Sequence, residues 1–194
     1  EARRVSRLVR RASRTRAAPS QGRATIHARL EARRDEIERA TLTRVHSIAD
    51  PKETENPEYV EGLRAAVCAA IDYGLTGIGG GAGGQPRVPL VLLEQARLAA
   101  RNGVSLDTVL RRYVAGYTLL GDFLIEETKA EPLPSVALQQ AMRDQATLFD
   151  RLVAAVTVEH KRESERRSVS VEGRRVERIR RLLAGDILDM SELA

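Results

Sequence analysis

Apolar residues recur along most of this chain at spacings of three and four, the period of a helix with one buried face. Between positions 24 and 48 they fall at Ile26, Leu30, Ile37, Leu42, Val45 and Ile48, which predicts a first long helix. The polar run "ADPKETENPEY" ends it. Asn56 before Pro57 then reads as a cap followed by a first helical position, where the absent proline N–H costs nothing. The helix so opened carries Tyr59, Val60, Leu63, Val67, Ala70 and Ile71, and is expected to fade at Gly74. Pro89 begins another, "PLVLLEQARLAARN", with Gly103 placed as its stop. Ser105 can cap a long helix with apolar residues at 106, 109/110, 113, 117, 120 and 124, close to a heptad seam. Gly116 and Gly121 lie inside it, which suits a close crossing by another helix.

The last helix has two characters. Leu138, Met142, Leu148, Leu152, Val153 and Val156 supply a packed first half. From Glu159 to Ser168 no residue is apolar, and apolar spacing returns at Val169, Val176, Ile179, Leu182 and Leu183. A stretch polar on every side projects into water or bridges two domains, and Glu163 and Arg167 are spaced to form a favourable pair along it. Together the elements predict an all-α helical bundle. Composition agrees: aromatics are 3% of the chain and tryptophan is absent, so the core is aliphatic, which suits helix-on-helix packing better than a β-sandwich.

Charge is distributed unevenly. Residues 1–39 hold 12 arginines against 5 acidic residues, whereas residues 40–160 hold 11 basic and 15 acidic ones. The body is mildly acidic although the whole chain is +5, opposite to the charge placement of a nucleic-acid-binding fold. The first 22 residues read as a basic arm. The longest apolar run is interrupted by Pro89, so no membrane span is expected. Cys68 is the one cysteine, which fits a cytoplasmic protein without disulfides.

Residues 98–112, "LAARNGVSLDTVLRR", have the look of a helix-turn-helix DNA reader. Several demands of that unit go unmet. Asn102 precedes the turn glycine where a small or apolar residue belongs, and Arg112 lies where an apolar contact is needed. Leu106 and Leu110 take places that would present polar groups to DNA. Burying Arg112 unpaired would cost several kcal/mol, so the expectation is a helix that turns Leu106, Leu110, Tyr113 and Tyr117 inward. The glycine-rich stretch after Gly77 leads into Gln85-Pro86 instead of the Gly-Lys-Ser/Thr of a phosphate loop, and reads as a helix connection.

Catalytic chemistry is hard to assemble. His27, His46 and His160 have no Cys or His partners at ligand spacing, so neither metal nor haem is expected. Cys68 lies in the small apolar run "AAVCAAI", and Glu126-Glu127 reads as a solvated face. No catalytic residues, no cofactor and no enzymatic activity are expected. The candidate ligand-binding residues are Arg112, Tyr113 and Tyr117: if the bundle holds a pocket, the phenols orient a ligand and the guanidinium holds an anion. Core tyrosines with rim hydroxyls are the alternative.

The segment "VPLVLLEQARLAARNGVSLDTVLRRYVAGYTLLGDFL" (88–124) resembles the N-terminal helical domain of PucR/CdaR-type transcriptional regulators, itself similar to RsbR-type N-terminal domains. The matching elements are Pro89, the "QARLAARNGVSL" turn and "LRRYVAGY". The ending "RRVERIRRLLAGDILDMSELA" is similar to the lead-in to a degenerate GGDEF-like domain. The resemblance implies a cytoplasmic sensory domain over 23–160, a connecting helix over 161–184, and the start of a second domain over 185–194, in a piece of a longer protein. It further implies a homodimer with a globin-like fold lacking haem, answering to a small-molecule effector or a protein partner. DNA would be reached only through a C-terminal domain outside this chain. Two rivals stand beside it: a protein-partner scaffold of a stress-signalling complex, and a DNA-binding domain in its own right.

Overall fold

The computed structural model describes residues 21–50, 56–79, 86–130 and 135–183. The basic arm up to residue 20, the glycine run at 80–85 and the proposed second-domain start at 185–194 lie outside them. Six helices and no strand occur among the described residues: α1 (21–32), α2 (Arg34–His46), α3 (Pro57–Gly79), α4 (Leu90–Arg101), α5 (Leu106–Ala130) and α6 (Ser135–Leu183). The protein is an all-α helical bundle.

The single helix expected over 24–48 is two. At Arg33 (φ −103°, ψ 12°) the chain leaves helical geometry and tightens into three-residue turns, with Arg33 N–H donating to Leu30 O and Glu36 N–H to Arg33 O. The bend carries no glycine or proline. Instead the Arg33 guanidinium pairs with Glu36, Glu126 and Glu127 and lies 4.5 Å over the Phe123 ring. Glu126 and Glu127 are therefore part of a junction holding α2 to α5. Arg34 beside it binds Glu31, Glu38 and Asp72.

The helix ends follow their sequence signals closely. Asn56 Oδ1 accepts the Glu58 N–H at 3.0 Å, capping α3. Gly103 has φ +78°; its N–H donates to Ala100 O and the Val104 N–H to Ala99 O, the paired bonds of a Schellman stop. Ser105 Oγ accepts the Thr108 N–H at 3.1 Å and caps α5. The buried Asp50 reinforces this end: its Oδ2 accepts from Ser105 N–H, Ser105 Oγ and Thr108 Oγ1, placing a carboxylate at the positive end of α5.

α3 runs past Gly74 to Gly79 and is the central helix. Leu63, Val67, Ile71, Leu75 and Ile78 join one apolar cluster with α1, α2, the end of α5 and the start of α6. Tyr59, Ala66 and Tyr73 join a second with α4, the start of α5 and the middle of α6. Two buried faces require close neighbours. A Cβ at Gly77 would lie 1.8 Å from Leu148 Cδ1, and one at Gly74 2.8 Å from Leu120 Cδ2. The close crossings thus fall on α3 and not on α5: a Cβ at Gly116 would make an ordinary contact, and at Gly121 it would meet nothing.

α6 packs with a stripe of smaller and more polar residues than the expected one. Ala137, Ala141, Gln145, Leu148, Leu152, Val156 and His160 are buried, while Met142 is 43% exposed. Its polar stretch is partly docked on α4, with Glu159 on Arg97 (3.1 Å) and Glu163 on Arg101 (3.6 Å). Arg167 reaches the last carbonyls of α4, Ala100 O and Arg101 O, so the expected Glu163–Arg167 pair is replaced by contacts across helices. From Glu165 onward every described residue is exposed, and past Arg167 the helix leaves the body.

Candidate functional site

Between the two clusters of α3 the bundle holds a partly open cavity of about 100 Å³. Tyr59, Leu63, Ala66, Val67, Ala70, Ile71 and Tyr73 of α3 form its floor. Gln95, Ala96 and Ala99 of α4 close one side, and Thr41 and Val45 of α2 another. Val109, Arg112, Tyr113, Gly116, Tyr117 and Leu120 of α5 face Gln145, Leu148, Phe149 and Leu152 of α6. Small residues at Ala66, Ala70, Ala96, Ala99 and Gly116 leave space that longer side chains would fill.

All three sequence candidates line this cavity, in different roles. Arg112 is buried, 5% exposed, which corrects the expectation that α5 would turn it outward. Its Nε and Nη2 donate to Ile48 O (3.1 and 2.7 Å), and its Nη1 donates to Tyr59 Oη (2.7 Å). These acceptors make burial tolerable, so the deepest face of α5 is Thr108, Val109, Arg112, Leu120, Phe123 and Leu124. Leu106 and Leu110 stand half-buried at its edge. The guanidinium fixes the segment after α2 to the start of α3. Tyr113 and Tyr117 are half-buried. Burial, with Tyr59 nearby, pushes the Tyr113 phenol well above its usual range, so it is a neutral hydroxyl at any ordinary pH. Tyr117 stacks on Phe149 with ring centroids 4.4 Å apart, joining α5 to α6.

Five polar groups of the cavity were not singled out from the sequence: Thr41, Tyr59, Tyr73, Gln95 and Gln145. Gln95 and Gln145 had a readable signal, since each interrupts a buried stripe, Leu92–Ala96–Ala99 on α4 and Ala141–Leu148 on α6. Gln145 Nε2 donates to Tyr117 O (3.0 Å) and Gln95 Nε2 to Tyr59 O (3.2 Å). Among the described residues, Gln95 Oε1 and Tyr73 Oη are buried without a hydrogen-bond partner. Burial also pushes the Tyr73 phenol upward, with Arg151 pulling weakly the other way.

The turn between α4 and α5, with its look of a helix-turn-helix, has its own geometry. α4 packs chiefly on α6 and α3 and only grazes α5, while α5 runs 25 residues through the bundle. No group of three His, Cys, Asp or Glu side chains among the described residues could hold a metal ion. No helix there is long and apolar enough to cross a membrane.

No curated protein and no solved structure matches the chain. A family model does, over residues 34–175: the RsbT co-antagonist protein rsbRD N-terminal domain. The match takes in every residue lining the cavity and ends within the exposed part of α6. It supports the RsbR-type side of the resemblance read from residues 88–124, and over 34–175 the chain belongs to the family of the rsbRD N-terminal domain.

Proposed function

We propose that this chain is the non-enzymatic sensory module of a cytoplasmic, PucR-type transcriptional regulator, acting as a homodimer and relaying a signal to a DNA-binding domain outside the chain. The observation that carries the reading is the two-part α6. Gln145, Leu148, Phe149 and Leu152 are wall of the cavity, and the same helix continues as an exposed rod from Ser168 to Leu183. A change of packing inside can thus alter the angle or register of the rod without any intermediate element.

The rod itself favours a second copy as its partner. Val169, Val176, Ile179 and Leu183 are 74%, 42%, 47% and 83% exposed and follow spacings of seven, three and four. A helix of that length with three valines and a glycine is marginal alone in water, and an unpaired apolar seam at heptad spacing is completed by a parallel twin. Sedimentation equilibrium of the chain tests this. A dimer is expected, and Val176→Asp is expected to make it a monomer with unchanged body helicity. A monomer at all concentrations in the unaltered chain overturns the relay.

The family match favours a second reading, an RsbR-like scaffold for protein partners in a stress-signalling complex. There the acidic body would dock a kinase-like partner. A complex with a purified partner of that type, formed equally well by Val176→Asp and by the unaltered chain, would select the scaffold over the relay.

A further inference from the structure

The cavity carries a more specific statement about what the module detects. We propose that it receives a compact, neutral, single-ring molecule bearing one hydroxyl or N–H donor, with phenol as the simplest example. This rests on the sensory reading and names the ligand class of that site.

Size sets the first limit. An apolar cavity of about 150 Å³ lined by aliphatic and aromatic side chains stays dry and takes up benzene. At about 100 Å³ the space here is smaller than that, so a single ring is the largest guest it can take, and fused rings or long chains are excluded. Charge sets the second. Arg112 is the one charged residue among the described residues of the lining, and its guanidinium already donates to Ile48 O and Tyr59 Oη. The rest of the wall is aliphatic or aromatic apart from a few neutral polar side chains, so an ion would lose its hydration with little return.

The third limit is the orphan acceptor. Gln95 is 7% exposed and its Oε1 has no partner. The amide is oriented by Tyr59 O, which can only accept, so Nε2 must face it and Oε1 must face away. Oε1 fills the space a Cβ at Gly62 would take, 2.3 Å away, so the amide has this place only because that residue is glycine. A ligand O–H or N–H would satisfy this acceptor, and a pure hydrocarbon would leave it unpaired. The half-buried Tyr113, Tyr117 and Phe149 form the wall nearest solvent and offer ring edges and faces to an aromatic guest. Because Phe149 belongs to α6, a guest at this wall touches the helix that continues as the rod.

The test uses the 194-residue chain with phenol, benzene and benzoate as probes, read by calorimetric titration and by the shift in melting temperature. Phenol is expected to bind saturably at millimolar concentration or below, about tenfold more tightly than benzene, a ratio set by one buried hydrogen bond. Benzoate is expected to give no saturable shift. Gln95→Met keeps benzene binding and brings phenol down to the same affinity, a change of ratio that general destabilisation does not produce. Ala96→Phe fills the cavity and abolishes both, and Ala66→Leu serves if that variant does not fold. The proposal is overturned if phenol gives no saturable response, if benzoate binds more tightly than phenol, or if Gln95→Met leaves the tenfold preference in place. The dimer is scored separately by sedimentation: lost phenol binding with an intact dimer removes the ligand class alone, whereas retained binding in a monomer removes the relay alone.

Discussion

Arg112 sits where a bundle core would ordinarily place a leucine, and it is kept there by what it donates to. Three of its hydrogen bonds go to the Ile48 carbonyl and the Tyr59 hydroxyl. Replacing it takes these donors away from the buried Tyr59 hydroxyl and the half-buried Ile48 carbonyl, at about 1–3 kcal/mol each. Arg112→Leu is therefore expected to lower the unfolding free energy by roughly 3 kcal/mol in urea titration. Arg112→Lys should recover only part, because an ammonium does not reproduce the guanidinium fork. Tyr113 offers a pH signature at the same scale. Its phenol is held protonated in the folded state, while in the unfolded chain it ionises near pH 10. The stability this provides is complete below that pH and is lost as pH rises through and beyond it. Melting temperature measured upward from pH 9 should fall less steeply in Tyr113→Phe than in the unaltered chain; parallel curves would show that the phenol is not protected.

At the scale of helices, glycine position separates packing from propensity. Gly121→Ala adds a methyl group where nothing stands within 4 Å, so only the helix-propensity gain remains, up to about 1 kcal/mol. Gly77→Ala receives the same gain but drives a Cβ onto Leu148, and overpacking of this kind costs about 1–3 kcal/mol. The two changes are expected to move the urea midpoint in opposite directions. The same contrast explains what the sequence could disclose. Helix ends were legible because Asn56, Gly103 and Ser105 act through bonds to backbone a few residues away. Apolar spacing located α3 to α6 because period and burial usually coincide. The α1–α2 bend was not legible, since Arg33 makes it through Glu126 and Glu127, about 93 positions away. The facing of α5 was missed for a related reason: a buried arginine is invisible to a hydrophobic pattern when its acceptors are a remote carbonyl and a tyrosine. Of the cavity, Arg112, Tyr113 and Tyr117 were found, while Gln95 and Gln145 were passed over as polar residues on helices.

For the molecule as a whole, the decisive question is whether the rod is held by the body or by another rod. From Ser168 to Leu183 no described side chain is buried, so removing those residues takes no contact from either cluster. A chain ending at Arg167 is expected to keep the cavity and the intrinsic stability of its body. What it should lose is the concentration dependence of melting, because a dimer stabilises its folded subunits by mass action and a monomer does not. Salt adds a sharper discriminator. With Val169, Val176 and Leu183 on one row of the seam and Ile179 on the other, Arg175 and Arg180 flank it at positions that meet across a parallel pair. Like charges there oppose association, and added salt screens them over roughly 8–10 Å at physiological strength. Dimer affinity in sedimentation should thus rise with ionic strength, and Arg175→Glu should strengthen the dimer at low salt by giving Arg180 of the second copy an opposite charge. A scaffold docking a basic partner on its acidic body would respond in the reverse sense, weakening as salt rises, so the sign of the salt dependence separates pairing through the rod from docking on the body.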